Sequence, residues 1–439
     1  MVAVLAVVPY NRGGILSVTC CRTSAATLLR FASRFLVQSG YGGFCKKRFG
    51  GFPMASTLLQ AAKRLVPIIA DNVSQIDSER QLPPELAKSM ADENLFGLYV
   101  PRSLGGPELD PISAFHVVEE ISKIDGSAGW CCFNGSTITS GISRVSESAG
   151  KEIIGDSGIL VGSGSARPEG ISKITPGGFL ISGRWNYLSG IDHSNVLFLN
   201  SFVVDENGPM TSDNGARLTR TVIVPVESGQ VIDTWDTVGM RGTASNDAEF
   251  ADVFVPIEHT YVRGDPSYHE NPLYSSQTAI HIGWTLAAAN SLGMARGAMN
   301  CFVDMATSRG TANSRTLTRD RSVVQTVVGE CEAIIDGARS FVIDAVGSMW
   351  DCQRTGNGDL EQRALRTRLA ITHAIRQSSD AVDRLFHVAG VNAIHESLGL
   401  ARFFRDLKVS VQHISGLENN YEFGGQMLMG AEITAPTYS

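Results

Sequence analysis

Hydrophobic positions along this chain change period twice, and the two changes divide it into blocks. From Ser56 to about Ser148 the period is helical: Leu58, Leu59, Ala62, Leu65, Val66 and Ile69 share one face, with Lys63, Arg64 and Asp71 off it. Pro83-Pro84 opens a second helix running through Leu95, because a proline in the first turn forfeits no hydrogen bond. Gly105-Gly106-Pro107 marks a loop, and Asp110-Pro111-Ile112-Ser113 predicts the cap of a third helix that buries Phe115, Val118 and Ile121. A fourth helix is expected from near Ala128 to Val145. Between about 157 and 256 short β-rich runs take over, such as 178–182, 196–199 and 220–224, separated by Gly/Asp/Asn/Pro clusters. No helix-length pattern interrupts them, which predicts an antiparallel sheet or small barrel rather than βαβ units. From about Ser275 the helical period returns, and segments 278–308, 320–352, 360–389 and 396–415 suit a four-helix bundle. The expected organisation is therefore mostly α, of α+β class. An N-terminal helical domain (54–156) is followed by a central antiparallel β-barrel domain (157–274), then a C-terminal four-helix bundle and tail (275–439).

The first 53 residues stand apart. They hold no Asp or Glu but carry Arg12, Arg22, Arg30, Arg34, Lys46, Lys47 and Arg48, leaving 30 basic against 44 acidic residues in the remainder. Two readings are open: a targeting segment, or an upstream extension ahead of a start at Met54, with poor order expected in either case. Over 439 residues, 43% hydrophobic and 18% charged residues exclude a disordered chain. The formal net charge of −7 offers no basic field for nucleic acid. No window supplies the roughly 18 apolar residues of a spanning helix, so no membrane association is expected. None of the eight cysteines forms a C-x-x-C or a Cys/His quartet, so no metal site is expected and reduced thiols in a cytoplasmic setting are the simplest reading. No G-x-G-x-x-G lies between a strand and a helix, so no built-in nicotinamide site is visible.

Three strings then carry a resemblance. Tyr99-Val-Pro-Arg-Ser-Leu-Gly-Gly106, Val238-Gly-Met-Arg-Gly-Thr-Ala-Ser-Asn-Asp247 with Phe254-Val-Pro256, and Arg402-Phe-Phe-Arg-Asp-Leu-Lys408 occur in the order found in the acyl-CoA dehydrogenase superfamily. In straight-chain dehydrogenases of that family a glutamate, nine residues after the arginine corresponding to Arg405, removes the substrate α-proton. Here that position is Ile414, which accepts no proton. Arg405-Asp406, six further residues and His413 resemble instead the final-helix signature of the two-component flavin-dependent monooxygenases of the superfamily. Gly183-Arg-Trp-Asn-Tyr-Leu-Ser-Gly190 is similar to their Gly-Arg-Trp-x-Phe-x-Ser-Gly segment.

That resemblance implies an oxygenase component that uses reduced flavin (FADH2 or FMNH2) and O2, through a C4a-hydroperoxide, on a small aromatic such as indole or a phenol. A separate NAD(P)H-dependent reductase would supply the flavin, and a homotetramer would be the assembly. It further implies Trp185, Asn186 and Ser189 at the flavin, and Ser163 or Ser165 beside it on a glycine/serine strand end. Arg309, with Arg315, Arg319 and Arg321 competing in the same loop, would reach the cofactor phosphates of a neighbouring subunit, and Trp130, Phe133 and Asn134 would line the substrate pocket. His413 and Ser189 are the expected catalytic pair: a histidine titrates in a useful range and a hydroxyl reaches flavin N5. Two other activities share the fold: an acyl-CoA dehydrogenase or oxidase with a displaced base, for which Glu418 lies four residues beyond Ile414, and amine N-oxygenation. A flavin-free scaffold is the reading from a different class.

Overall fold

The computed structural model describes residues 53–310 and 316–437. The expectations for residues 1–52, and for Arg315 as a rival of Arg309, lie outside the described residues.

Five helices lead: α1 (Pro53–Glu79), α2 (Pro84–Asp92), α3 (Pro111–Ser122), α4 (Gly126–Thr139) and α5 (Glu147–Ile154). The cap expected at Asp110 is made, its carboxylate accepting from the Ile112 and Ser113 amides at 3.1 and 3.0 Å. Phe115, Val118 and Ile121 are completely buried beneath it. The fourth helix starts earlier and ends earlier than expected, because Asp125 caps it by accepting from the Ala128 amide and the backbone tightens to a 3-10 turn over Ser140–Arg144.

Nine strands follow: β1 (Gly162–Ser165), β2 (Ile171–Thr175), β3 (Gly178–Leu188), β4 (Val196–Asp205), β5 (Gly208–Pro209), β6 (Thr219–Pro225), β7 (Gln230–Ile232), β8 (Asn246–Pro256) and β9 (Thr260–Tyr261). They form one sheet with the spatial order β7-β8-β3-β2-β4-β6-β9, with β1 and β5 on β4. The sheet is mixed, which corrects the purely antiparallel expectation. After the β2–β3 hairpin the chain crosses back over β2 through the Gly190–Asn195 turn, so β4 lies parallel to β2, and β1 also joins β4 in parallel.

The last block is α6 (Ala279–Ser308), α7 (Ser322–Thr355), α8 (Leu360–Ala389), α9 (Leu400–Ser410) and α10 (Asn419–Met429). Three of the four expected bundle helices appear nearly as drawn. The last is shorter: α9 stops at Ser410, and His413 lies beyond it, in extended conformation (φ −65°, ψ 147°), at the head of a 3-10 turn over Ile414–Gly416. One apolar core runs from α1–α4 through α6–α9, and a second fills the sheet around Ile181, Trp185, Leu197 and Val222.

The contact between sheet and bundle is close. Gly239 lies against the backbone of Arg405, where a Cβ would stand 2.4 Å from its carbonyl. Beside it the Met240 amide donates to Asp406 Oδ1 at 2.6 Å. Asp406 is buried, and burial pushes its carboxyl up to about 7, with Arg402 opposing the shift and Asp125 adding to it. Arg402 meanwhile bonds Asp125 at 2.7 Å, so α9 fastens both the start of α4 and the loop ahead of β8. That fastening positions the site.

Candidate active site

Four residues expected from the sequence meet at one place. α4 presents Trp130 and Phe133 one turn apart, and the chain after α9 brings His413 onto them. The three rings pack edge to face: Trp130–Phe133 at 5.0 Å, Trp130–His413 at 5.3 Å and Phe133–His413 at 5.8 Å between centroids. The fourth is Ser189, whose Oγ accepts a hydrogen bond from Trp130 Nε1 at 3.1 Å.

The protonation state of His413 follows from its partners. Its Nδ1 accepts from the Ser415 amide, a group that can only donate, and lies 2.7 Å from Ser415 Oγ. The neutral ring therefore carries its proton on Nε2. Burial in the aromatic corner lowers its pKa to about 4. This corrects the expectation of a histidine titrating near neutrality: at neutral pH His413 is an uncharged Nε2–H donor.

Ser189 is placed by a break in strand alternation. In a regular strand Trp185, Tyr187 and Ser189 would share one face. The register with β8 shifts between Trp185 and Leu188, and Tyr187 takes φ +61° at this bulge. Trp185 consequently points into the sheet core with no exposed surface, donating from Nε1 to the Asn200 carbonyl at 2.7 Å. It has no free face for a flavin, contrary to expectation. The exposed ring of this segment belongs to Tyr187, 64% accessible and edge-on to Trp235. Sequence reasoning missed it because bulges leave no mark in an alternation count.

Asn186 is also engaged elsewhere, its amide and Nδ2 donating to Glu169 at 2.9 and 3.1 Å. Ser163 and Ser165 lie on β1, whose glycines pack directly on Ile138 and Thr139 of α4. Ser163 is fully buried and its Oγ lacks a partner, while Ser165 is half-buried. Asn134, one turn beyond Trp130, has a buried Oδ1 that is likewise unpartnered. Arg309 caps the C-terminus of α6 and is exposed. Cys131 and Cys132 are buried and packed, with burial holding both thiols well above their usual range.

Two further residues complete the constellation. Ser189 Oγ lies 2.8 Å from Ser245 Oγ, and Ser245 Oγ lies 2.7 Å from Thr243 Oγ1. Thr243 in turn donates to the Met240 carbonyl at 2.9 Å. The loop that carries them is bent by left-handed residues at Met240 and Ala244, φ +53° and +41°. It is held by Asp406 and by Trp235 Nε1, which donates to the same carbonyl at 2.9 Å. Thr243 and Ser245 both stand in the Val238–Asp247 string, but nothing in the sequence joined them to Ser189.

The donor set suits a flavin beside an aromatic ligand: orphaned hydroxyl and amide oxygens at Ser163 and Asn134, an open aromatic face at Tyr187, and a neutral imidazole N–H. No carboxylate occupies the position of the dehydrogenase base. Glu418, the displaced candidate, is 74% exposed and paired with Arg376 at 2.5 Å.

Family models match at both ends of the chain: the acyl-CoA dehydrogenase N-terminal domain over residues 57–153 and the C-terminal domain over 285–416, together just over half its length. The chain belongs to the acyl-CoA dehydrogenase family. Within that family its kinship is with flavin-dependent monooxygenases. It is 27% identical over 360 residues to indole-3-acetate monooxygenase of Pseudomonas putida, covering 82% of this chain and 90% of that protein. It is 27% identical over 386 residues to the flavin-dependent monooxygenase oxygenase subunit HsaA of Mycobacterium tuberculosis, covering 84% and 96%. The structure of XiaF from a Streptomyces species, solved with FADH2 and glycerol, superposes with a TM-score of 0.79 at 26% identity, covering 87% and 97%.

Proposed function

We propose that this protein is the oxygenase component of a two-component flavin monooxygenase, which accepts reduced FAD or FMN from a separate NAD(P)H-dependent reductase. In this reading it transfers one atom of O2 to a small aromatic or heteroaromatic molecule in a cytoplasmic setting, as a homotetramer. The observation that carries it is His413: a neutral imidazole with its tautomer fixed by Ser415, set against Trp130 and Phe133, one position before Ile414.

Bound reduced flavin would supply the activation of O2. The chain's own residues do the rest. Trp130 and Phe133 wall the site with hydrocarbon and exclude water, which a reactive oxygen donor requires. His413 directs its Nε2–H as a hydrogen-bond donor without introducing a charge, and suits an oxygen acceptor such as a phenolic substrate oxygen. Ser189 lies within reach of Trp130, and Ser163 and Asn134 offer unpaired oxygens for flavin or substrate edges. A flat aromatic substrate fits the edge-to-face geometry of the two walls. The name of the Pseudomonas putida relative, indole-3-acetate monooxygenase, supports bicyclic substrates.

The test is a product screen under 18O2 with a generic flavin reductase and indole, indole acids, phenols and styrene. The expected result is one 18O atom in the product of at least one aromatic. Reduction of bound oxidised flavin by an acyl-CoA, without oxygenated product, would instead assign a dehydrogenase.

A further inference from the structure

The hydroxyl chain beneath Ser189 has a direction, and that direction restricts what Ser189 can offer a ligand. At one end Trp130 Nε1–H can only donate, so Ser189 Oγ accepts there. At the other end the Met240 carbonyl can only accept, so Thr243 spends its single proton on it. Three hydroxyls with three protons must then fill the contacts Ser189–Ser245, Ser245–Thr243 and Thr243–Met240. One assignment satisfies all of them: Ser189 donates to Ser245, Ser245 to Thr243, and Thr243 to the carbonyl. Reversing any link strands one hydrogen bond among side chains that are at most 7% exposed. Ser189 is thereby left with a free lone pair and no free proton.

We infer that Ser245 and Thr243 are positioning residues that hold Ser189 as a hydrogen-bond acceptor, and that they make the site selective for the reduced form of flavin. The inference rests on the flavin reading above. Reduced flavin carries a proton on N5 and needs an acceptor there, whereas N5 of oxidised flavin is a bare lone pair that needs a donor. A serine locked as acceptor favours the first and is mismatched to the second. The selectivity suits a protein that takes up reduced flavin from a partner and must release it once oxidised. The device is also rigid at its base. The Met240 carbonyl receives Trp235 Nε1 as well as Thr243, and the Met240 amide is tied to Asp406.

The experiment is anaerobic titration of the full-length protein with reduced FAD and FMN, and aerobic titration with the oxidised forms, for the wild type, Ser245→Ala, Thr243→Val and Thr243→Ser. Wild type should bind the reduced form more tightly. Ser245→Ala and Thr243→Val release the Ser189 proton, and the ratio of oxidised to reduced dissociation constants should fall about tenfold, the scale of one hydrogen bond. The bound flavin potential should move in step. Thr243→Ser keeps the hydroxyl and should keep the ratio, which a merely structural role would not predict. Thermal melts identify any variant that fails to fold, and the Val/Ser pair at position 243 keeps the test decisive if Ser245→Ala is lost. A wild-type ratio unchanged in Ser245→Ala and Thr243→Val overturns this inference alone. Failure of the wild type to bind flavin in either state overturns the flavin reading and this inference with it.

Discussion

Lowering the pH should protonate His413 and cost the fold stability, because the charged ring is disfavoured where it sits. Its ring carries a pKa of about 4 in the folded protein against 6.5 for an ordinary histidine, with burial as the cause. An unfolded chain therefore takes up this proton first, and stability is fully present above about pH 6.5 and is lost as pH falls towards 4. The limiting cost is roughly 3 kcal/mol and the cost at about pH 5 roughly 2 kcal/mol. Both are upper values, because the ring is half-buried and keeps some hydration. His193 and His281 are likewise lowered to about 4 by burial, so raw acid stability would mix all three. The comparison of wild type with His413→Asn removes the other two. Denaturation at about pH 8 and about pH 5 should show the wild type losing up to about 2 kcal/mol more than the variant. NMR of protein labelled with 13C at histidine Cε1 supplies the direct reading: the resonance missing from His413→Asn should titrate well below pH 5. A midpoint near 6.5, or parallel stability losses in the two proteins, would refute the burial argument and the neutral-donor role with it.

Other perturbations separate residues that the sequence had grouped. Trp185→Phe removes the indole bond to the Asn200 carbonyl and should cost about 1–2 kcal/mol in thermal stability, while leaving flavin dissociation constants unchanged. Tyr187→Ala should do the reverse, weakening flavin binding with little effect on melting, as expected of an exposed side chain. Gly239→Ala drives a Cβ to within 2.4 Å of the Arg405 backbone and should cost about 1–3 kcal/mol by parting sheet from bundle, read as a lower melting temperature.

Much of the architecture was legible because period and punctuation agree. Apolar residues at helical spacing, an Asp-Pro-Ile-Ser cap and long uninterrupted bundle segments leave few alternatives. What escaped was set by events with no local signature. The parallel seating of β4 depends on which edge of the hairpin the chain returns to. The bulge at Tyr187 reverses the parity that would have put Trp185 and Ser189 on one face. Helix α9 ends at Ser410, so His413 is held by a turn and by Ser415 rather than by a helix. Within the site, Trp130, Phe133, Ser189 and His413 were identified by resemblance and do converge, whereas Ser245, Thr243 and Ser415 matter through contacts that only folding makes. Trp185 and Asn186 are engaged with other partners, the Asn200 carbonyl and Glu169.

The most direct measurement is the yield of oxygenated product against H2O2, per reduced flavin oxidised, for the wild type and His413→Ala on whichever aromatic the 18O2 screen identifies. If His413 is the neutral donor that steers oxygen to substrate, the variant should bind reduced flavin normally and consume O2, yet divert about 90% or more of it to H2O2, as loss of one strong donor in a dry site requires. Product yield in His413→Ala equal to that of the wild type would contradict the account.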